Sequence, residues 1–427
     1  MLGLILLSVF GFVLVMLTVL TYYLHALEKR IQADDDAGLN VETKKEEIAS
    51  SQAFTYTALV LVSIGMAASF YIYVQGTPWE AHLMEWLNIV VRLMHITFGI
   101  AWIGASFYFV FLENALNRTK DVRDELAGNL WAVHGGGFYY LEKYKVAPKT
   151  IPKHLHWFKY EAYFTWVTGI SLLFVVYYFN ASALLIDKNV LDITAMQAIG
   201  IGIGSFVVAW IIYDLLCKSP LVKQPLLFAL IGFVILTGLA YFYTKVFSPR
   251  AAYIHFGAMI GSLMVANVFF VIIPAQKAMV NAAKKGLPLN PQLGKNALNR
   301  SLHNNYFTLP VLFVMISNHF PSTFGYGQPW LILAIISLGT AGVKHYLNLR
   351  EKGQLSVWVL PVSIVILLAG AFISAPSKNP GACNEKIEFS TVNAIIQERC
   401  VSCHSSKPTD DVYKAAPNGV MYDTPED

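Results

Sequence analysis

Charge is scarce in this chain of 427 residues. Only 14% of the residues are Asp, Glu, Lys or Arg, whereas 56% are hydrophobic, and the mean hydropathy is +0.51. Soluble globular domains carry about 25% charged residues. The composition therefore excludes an ordinary soluble protein of this length and indicates a chain that crosses a membrane several times.

Two further absences narrow the chemistry. The chain holds only four cysteines, and it has no disulfide framework of the kind that stabilises small secreted domains. It also lacks a phosphate-binding glycine loop, a dinucleotide-binding fingerprint and a nucleophile elbow. These absences argue against chemistry driven by a nucleotide.

Ten apolar runs predict an all-α fold, a polytopic bundle of transmembrane helices with about eight to ten spans. The runs lie near residues 2–25, 54–75, 86–112, 162–182, 194–214, 224–244, 251–276, 305–319, 329–347 and 355–376. Most of them exceed the ~20 residues needed to cross ~30 Å of hydrocarbon. The eighth run is short and contains Pro310, which leaves nine spans as the alternative. We expect the membrane domain to cover 1–376 and a linker with a short tail to cover 377–427.

The basic residues predict how the helices are oriented, because cytoplasmic loops are enriched in Lys and Arg. Most of these residues lie in loops 26–53, 114–161, 215–223, 277–304 and 344–354. With the N-terminus outside, ten spans would put all five loops in the cytoplasm and the tail on the opposite face. We therefore expect a multi-pass protein of the inner (cytoplasmic) membrane with its tail on the periplasmic side.

The pentapeptide CVSCH near the end of the chain is typical of covalent haem attachment. The thiols of Cys400 and Cys403 would add to the two vinyl groups of haem c, and His404 would ligate the iron. A zinc half-site is the alternative. Zinc would need a second pair of ligands at similar spacing, and Cys217 and Cys383 form no such pair. Haem c is attached outside the cytoplasm. The motif and the distribution of basic residues therefore both place the tail on the periplasmic side.

Histidines within the apolar runs are candidate haem ligands, because an ionisable residue at membrane depth is costly and often functional. His95 lies in the third run and His255 in the seventh. The pair could hold a b-type haem between two helices, although their depths differ by up to ~8 Å. An ordinary hydrogen bond between helices is the alternative for each residue.

A second polar group is predicted on the cytoplasmic face. Its members are Trp131, His134, His303, Asn304, Asn305 and Tyr306, with His345 nearby. Imidazoles, amides and aromatic rings suit a planar, polar, anionic ligand, but they also suit anchoring at the level of the lipid headgroups. In the loop 114–161 we expect an amphipathic helix followed by a flexible glycine-rich stretch at 134–140.

Four segments carry a resemblance to a known family. They are MHITFGIAWIGASFYF at 94–109, WAVHGGGFYYLEKYK at 131–145, HNNYFTLPVLFVMISNHF at 303–320 and CVSCHSSKP at the tail. Together they resemble the membrane-bound urate oxidases, which join a multi-span urate oxidase N-terminal domain to a cytochrome c domain. The segment around His95 also resembles the haem-binding helix of the membrane protoporphyrinogen oxidases, which favours haem b there.

The resemblance implies oxidation of urate, or a related purine, to 5-hydroxyisourate, with electrons passing through haem to the respiratory chain and no peroxide released. Cytochrome c oxidase or a soluble cytochrome c would be the acceptor, and no nucleic acid is implied. His134 and His303 are the candidate general bases. Trp131, Asn304 and the two residues after it would bind the substrate.

The tail departs from the family pattern. Met421 is the only methionine after the CVSCH motif and lies closer to it than the usual axial ligand. We expect a tail that is truncated, or a haem that is open or completed by another subunit. Two other functions stay possible from the residues: a quinol-oxidising cytochrome b/c subunit, which would need a quinone pocket in the membrane, and a urate permease.

Overall fold

The computed structural model describes residues 2–36, 42–75, 77–148, 150–152, 155–375, 387–410 and 415–425. Most of the linker expected after residue 376, with Cys383, lies outside these residues. The chain divides into two compact units. One is formed by Met1–Trp86 with Ile387–Asp427, and the other by Leu87–Lys386.

The first unit contains two long helices that pack side by side, α1 (Leu2–Asp36) and α2 (Glu42–Val74). The two helices pack tightly at Gly65, where a Cβ atom would lie 2.7 Å from the ring of Phe10. Glycine lets the two backbones come together where any larger residue would displace the ring. Helix α3 (Pro78–Ala115) begins in this unit and continues into the second.

The second unit is a bundle of helices. In chain order they are α4 (Tyr160–Leu172), α5 (Ala195–Lys218), α6 (Pro225–Thr244), α7 (Pro249–Ala266), α8 (Ile273–Lys284), α9 (Pro291–Ser317), α10 (Pro321–Phe324), α11 (Pro329–Glu351) and α12 (Val359–Ile373). A further helix, α13 (Phe389–Arg399), belongs to the first unit and precedes the CVSCH motif. Five of these helices begin with proline at the first position, where its fixed φ suits a helix and no backbone N–H is needed. Helix α5 instead begins with a capping box between Thr194 and Gln197.

Helix α7 forms the centre of the second unit. It packs against α5, α6 and α9, and its buried side chains include Tyr253, Met259 and Ile260. After Ala266 the helix passes through a π-helical segment, Asn267–Ile272, before it continues as α8. Helix α4 ends in a similar way, in a π-helical segment at Leu173–Tyr178.

Within the described residues, seven helices are long and apolar enough to cross a membrane, judged by length and composition alone. The mostly helical fold confirms that part of the sequence prediction, and the long apolar helices are compatible with a multi-pass membrane protein. The other three predicted runs also form helices. The run at 162–182 is interrupted by π-helical turns, 305–319 is part of the longer and more polar α9, and 355–376 holds a 15-residue helix.

The helix predicted within loop 114–161 is wrong, since this segment forms a β-hairpin. Strands β1 (Leu126–His134) and β2 (Gly137–Tyr144) pair in antiparallel register. The connecting residues Gly135 and Gly136 have φ of +57° and +78°, the conformation that a two-residue hairpin turn requires and that glycine adopts without strain. The predicted flexible stretch is therefore an ordered turn, and the fold contains one small sheet beside its helices.

The contact between α7 and α9 gives a test of the packing. A Cβ atom at Gly257 would overlap a methyl group of Val314 on α9. We expect Gly257→Ala to destabilise the protein by about 1–3 kcal/mol and to lower the temperature of unfolding in detergent. The matched control is Gly261→Ala, one turn further along α7, where a Cβ atom meets nothing within 4 Å.

The double variant Gly257→Ala/Val314→Ala should recover much of the loss, because it removes the methyl group that blocks the new side chain. Equal unfolding temperatures for Gly257→Ala and Gly261→Ala would contradict the close approach of the two helices.

Candidate functional site

A buried ion pair joins α5 to α9. Arg300 is only 5% exposed, and its Nη2 lies 2.5 Å from Oδ1 of Asp214, whose other oxygen lies 2.6 Å from Nζ of Lys218. The guanidinium also lies over the rings of Trp210 and Tyr213, at 5.7 and 4.9 Å from their centroids. Paired charge and two aromatic faces together make a buried cation tolerable here.

The ion pair fixes the direction of a chain of hydrogen bonds. Arg300 can only donate, so the Asn267 atom 3.1 Å from it is Oδ1. The Asn267 amide nitrogen then donates to the hydroxyl of Tyr213 (2.9 Å). The same hydroxyl lies 2.8 Å from Nδ1 of His303. In the tautomer of His303 whose Nδ1 carries no proton, the hydroxyl donates to Nδ1 and the imidazole proton is on Nε2.

The same reasoning assigns both ends of Asn304. Its Oδ1 accepts from the amide nitrogen of Asn267 at 2.8 Å, and its Nδ2 donates to the carbonyl of Met264 at 3.0 Å. Asn304 therefore ties α9 to the π-helical segment after α7, and its main hydrogen-bonding groups are already used. This places it in the structural network beside the candidate site.

The next residue, Asn305, belongs to a different and incompletely satisfied pair. Its Oδ1 accepts from Nδ2 of Asn348 on α11 at 2.9 Å. Nδ2 of Asn305 and Oδ1 of Asn348 are both buried and have no hydrogen-bond partner among the residues that the structure describes. If both amides are turned over, one donor and one acceptor still remain unpaired. A buried donor or acceptor without a hydrogen bond costs free energy, so a polar ligand that pairs with these two groups would be stabilised here.

A buried cation, Lys344, lies one turn before Asn348 on the same face of α11. Lys344 is fully buried, and its Nζ lies 3.9 Å from the centroid of the Phe107 ring on α3. Among the residues that the structure describes, no carboxylate forms an ion pair with it. Lys344, Asn305 and Asn348 are called the polar site below.

Tyr306 and His345 lie beside the polar site. The hydroxyl of Tyr306 and Nδ1 of His345 are 2.6 Å apart, a distance typical of a strong hydrogen bond. His345 follows Lys344 directly in the chain and is exposed. The pair therefore offers an acid–base couple within reach of both the site and the surface.

The hairpin residues predicted to belong to the site are exposed. Trp131 is 67% exposed and packs against Tyr140, with ring centroids 4.7 Å apart, and His134 is the last residue of β1 before the turn. In the described contacts, neither residue touches the start of α9. The structure thus brings together the predicted α9 residues but not the two hairpin residues.

The two candidate haem b ligands differ in how their nitrogens are used. His95 packs on Gly169 of α4, and its Nδ1 lies 3.0 Å from the carbonyl oxygen of Thr165. This leaves Nε2 for a metal, in the arrangement common for ligating histidines. Nδ1 of His255 lies 2.8 Å from the Ala251 carbonyl and Nε2 lies 3.2 Å from the hydroxyl of Tyr178.

His255 does not fit the role of an axial ligand. It is fully buried, both of its nitrogens are hydrogen-bonded, and the ring of Phe247 lies 4.4 Å away, centroid to centroid. A haem would have to displace both a hydroxyl and an aromatic ring. Haem b remains a prediction that the surroundings of His95 favour and those of His255 do not.

The CVSCH residues fit covalent haem. Cys400 and Cys403 are free thiols at the end of α13, and burial raises the pKa of the Cys403 thiol. Nδ1 of His404 lies 2.9 Å from the carbonyl oxygen of Val420, which leaves its Nε2 for iron. Asp423 closes the same loop by accepting from Ser405 and Ser406, and these hydrogen bonds lower its pKa.

Sequence reasoning missed Asp214, Asn267 and Lys344. All three stand in or next to apolar runs, so the rule that polar residues at membrane depth mark a site would have found them. Lys344 was assigned to a basic loop, whereas α11 continues to Glu351 and buries it. Tyr213 gave no such signal, because an aromatic residue in an apolar run is unremarkable.

The ion pair gives a test that does not depend on function. Arg300→Met would leave Oδ1 of Asp214 and Oδ1 of Asn267 without the Arg300 donor, while the other oxygen of Asp214 would keep Lys218. We expect it to destabilise the protein by about 1–3 kcal/mol, measured as the unfolding temperature in detergent. Lys295→Met is the matched control, since Lys295 is exposed on the same helix. Similar unfolding temperatures for the two variants would show that the network does not support the fold.

Comparison with known proteins adds a family. No curated protein and no solved structure matches the chain. The urate oxidase N-terminal family matches residues 81–375, more than half of the chain. The matched range includes the ion pair, the polar site and His95, and it ends before the CVSCH motif. The chain therefore belongs to the urate oxidase N-terminal family.

Proposed function

We propose that this protein binds urate in the polar site and oxidises it to 5-hydroxyisourate, with the electrons leaving through haem to the respiratory chain and no peroxide released. The family match over residues 81–375 carries the proposal, since it covers every residue of the polar site. The chemistry of the site supports it independently.

The polar site suits a planar anion with amide edges. Urate is a monoanion at neutral pH and presents N–H and C=O groups in its ring plane. Lys344 would supply the opposite charge, and its burial strengthens that attraction. The unpaired Nδ2 of Asn305 and Oδ1 of Asn348 offer one donor and one acceptor, the complement of an adjacent C=O and N–H pair.

Tyr306 and His345 would handle protons. Conversion of urate and water to 5-hydroxyisourate releases two electrons and two protons, so a group near the substrate must accept a proton. His345 can take it through the hydroxyl of Tyr306 and pass it to the surface. His303 is less suited to this role, because its Nδ1 is already hydrogen-bonded to the hydroxyl of Tyr213.

The tail would hold haem c through Cys400, Cys403 and His404. Haem iron supplies one-electron transfer, so each urate would require two transfers. Cytochrome c oxidase or a soluble cytochrome c is the proposed acceptor. In the proposed orientation the tail is periplasmic, on the inner membrane, and the polar site lies toward the cytoplasm.

Removal of the buried cation should weaken substrate binding. We expect Lys344→Met to lower kcat/KM for urate by ~10- to 100-fold, mainly through KM, because a hydrogen bond to a charged group contributes ~1.5–3 kcal/mol. The measurement is the loss of urate absorbance in isolated membranes, with peroxide assayed in parallel. Lys352→Met at the end of the same helix is the control, since Lys352 is exposed.

Unchanged kinetics in Lys344→Met would move the substrate away from the polar site. Uptake of urate into vesicles without its oxidation would instead support a permease. Peroxide formed in proportion to the urate consumed would contradict electron transfer to the respiratory chain.

The tail gives a second test. With haem maturation proteins present, haem should stay with the polypeptide through denaturing electrophoresis and should be lost in Cys400→Ala/Cys403→Ala, because a thioether bond survives denaturation and a ligand bond does not. Cys217→Ala is the control, since Cys217 lies on α5. Haem staining that persists in the double variant would contradict attachment at the motif.

A further inference from the structure

A cavity of about 280 Å³ lies between α5, α6, α7, α9 and α11, close to the lower end of the ~300–1,000 Å³ found for ligand pockets. Its wall consists mostly of Leu, Ile, Ala and Phe side chains. The polar side chains that line it are Tyr213, Thr237, His303, Tyr306 and Ser337. The cavity is too apolar for the urate anion, which would have to give up its hydration for very few polar partners.

Two hydroxyl groups in this wall have no hydrogen-bond partner within the described part of the chain. They are Oγ1 of Thr237 on α6 and Oγ of Ser337 on α11, and both are buried. Neighbouring hydroxyls on the same helices behave differently: Thr244 donates to the carbonyl of Tyr241 at 2.8 Å, and Thr340 donates to that of Ile336 at 2.7 Å. A helix thus offers a carbonyl to such a group, and two unpaired hydroxyls in one cavity point to a ligand.

A third donor comes from His303. Its imidazole is part of the cavity wall, and in the tautomer whose Nδ1 accepts from Tyr213 the proton is on Nε2. The ring is held in place by stacking on Phe228, with centroids 4.9 Å apart and planes at 19°. The cavity therefore combines three hydrogen-bond donors with apolar walls.

We propose that this cavity binds a membrane quinone. A quinone has a flat apolar ring and two carbonyl oxygens that only accept hydrogen bonds, which matches the donors of Thr237, Ser337 and His303. A lipid acyl chain would fill the space but leave all three donors unpaired. The wall includes Ile212 and Leu338, which are 40% and 43% exposed on apolar helices, so a ligand dissolved in the bilayer can enter from the side. Binding of quinone does not depend on the proposed oxidation of urate.

The test uses the full-length protein in detergent, an azido-benzoquinone as a photoreactive probe, and decylubiquinone as a competitor. Mass spectrometry should find the label on peptides of the helices that line the cavity, α5, α6, α7, α9 or α11, and excess decylubiquinone should displace it along a single-site curve. Label that is not displaced, or that lies on other helices, would overturn the proposal. Phospholipid that co-purifies at one molecule per chain and blocks labelling would overturn it in favour of an acyl chain.

A glycine pair supplies the matched variants. Gly232 and Gly238 are both on α6, and a Cβ atom at either meets nothing within 4 Å. Only Gly232 lines the cavity, so Gly232→Leu should fill it and reduce quinone affinity at least tenfold, whereas Gly238→Leu should leave it unchanged. Equal affinity in the two variants would overturn the proposal.

The hydroxyls separate a binding role from a structural one. Thr237→Val and Ser337→Ala should each weaken quinone binding by ~5- to 10-fold, because each removes one hydrogen bond to the ligand. Their unfolding temperatures without quinone should stay equal or rise, since each removes an unpaired buried group. Thr340→Val is the control for binding. Unchanged quinone affinity in both Thr237→Val and Ser337→Ala would overturn the proposal. This outcome can be measured even if Gly232→Leu does not fold.

Discussion

The second unit depends on the cost of leaving a buried polar group unpaired in apolar surroundings. The Arg300–Asp214 pair is the strongest expression of this constraint. Because the guanidinium can only donate, it fixes the orientation of the Asn267 amide, whose nitrogen then donates to Tyr213, and the Tyr213 hydroxyl is hydrogen-bonded to His303. The same pair joins α5 and α9, so the ordering of protons and the packing of helices have one cause.

The constraint also separates structural polar groups from candidate functional ones. Asn304 and Asn305 are neighbours on α9, yet the first has both ends of its amide satisfied and the second does not. Lys344 resembles Asn305, since it is buried without an opposite charge among the described residues. Among the described residues, four of the six buried side-chain atoms without a hydrogen-bond partner lie in the polar site or the cavity, and the other two belong to Glu161 and Asn180. Tyr306 belongs to the edge of both the polar site and the cavity. If urate is oxidised in the polar site and a quinone binds in the cavity, the electrons are released close to a carrier that can accept them.

The sequence predicted the helices well, because hydrocarbon leaves a chain few options besides an α-helix. It failed at the hairpin, where Leu126–His134 has enough helix-forming residues to resemble an amphipathic helix. The segment forms a strand because β2, which follows the turn at Gly135 and Gly136, supplies its hydrogen-bonding partners. The cluster of polar residues at His303 to Tyr306 predicted a site at the start of α9, and Asn305 is the member of that cluster that belongs to the polar site. Asp214 and Lys344 were missed, because Lys344 was assigned to a basic loop and the contacts of both residues are with parts of the chain far away in sequence.

The π-helical segment Asn267–Ile272 determines how α8 is rotated relative to α7. A π turn holds one more residue than an α turn, so the stripe of residues that faces inward before the turn is rotated by about 100° after it. Before it, Met259 and Leu263 face the core; within it, Phe269 and Phe270 are exposed. In related chains, a one-residue gap here would alter which side of α8 faces its neighbours while leaving its length intact. An insertion or deletion of one residue in this stretch therefore rotates the inward-facing side of α8 about the helix axis.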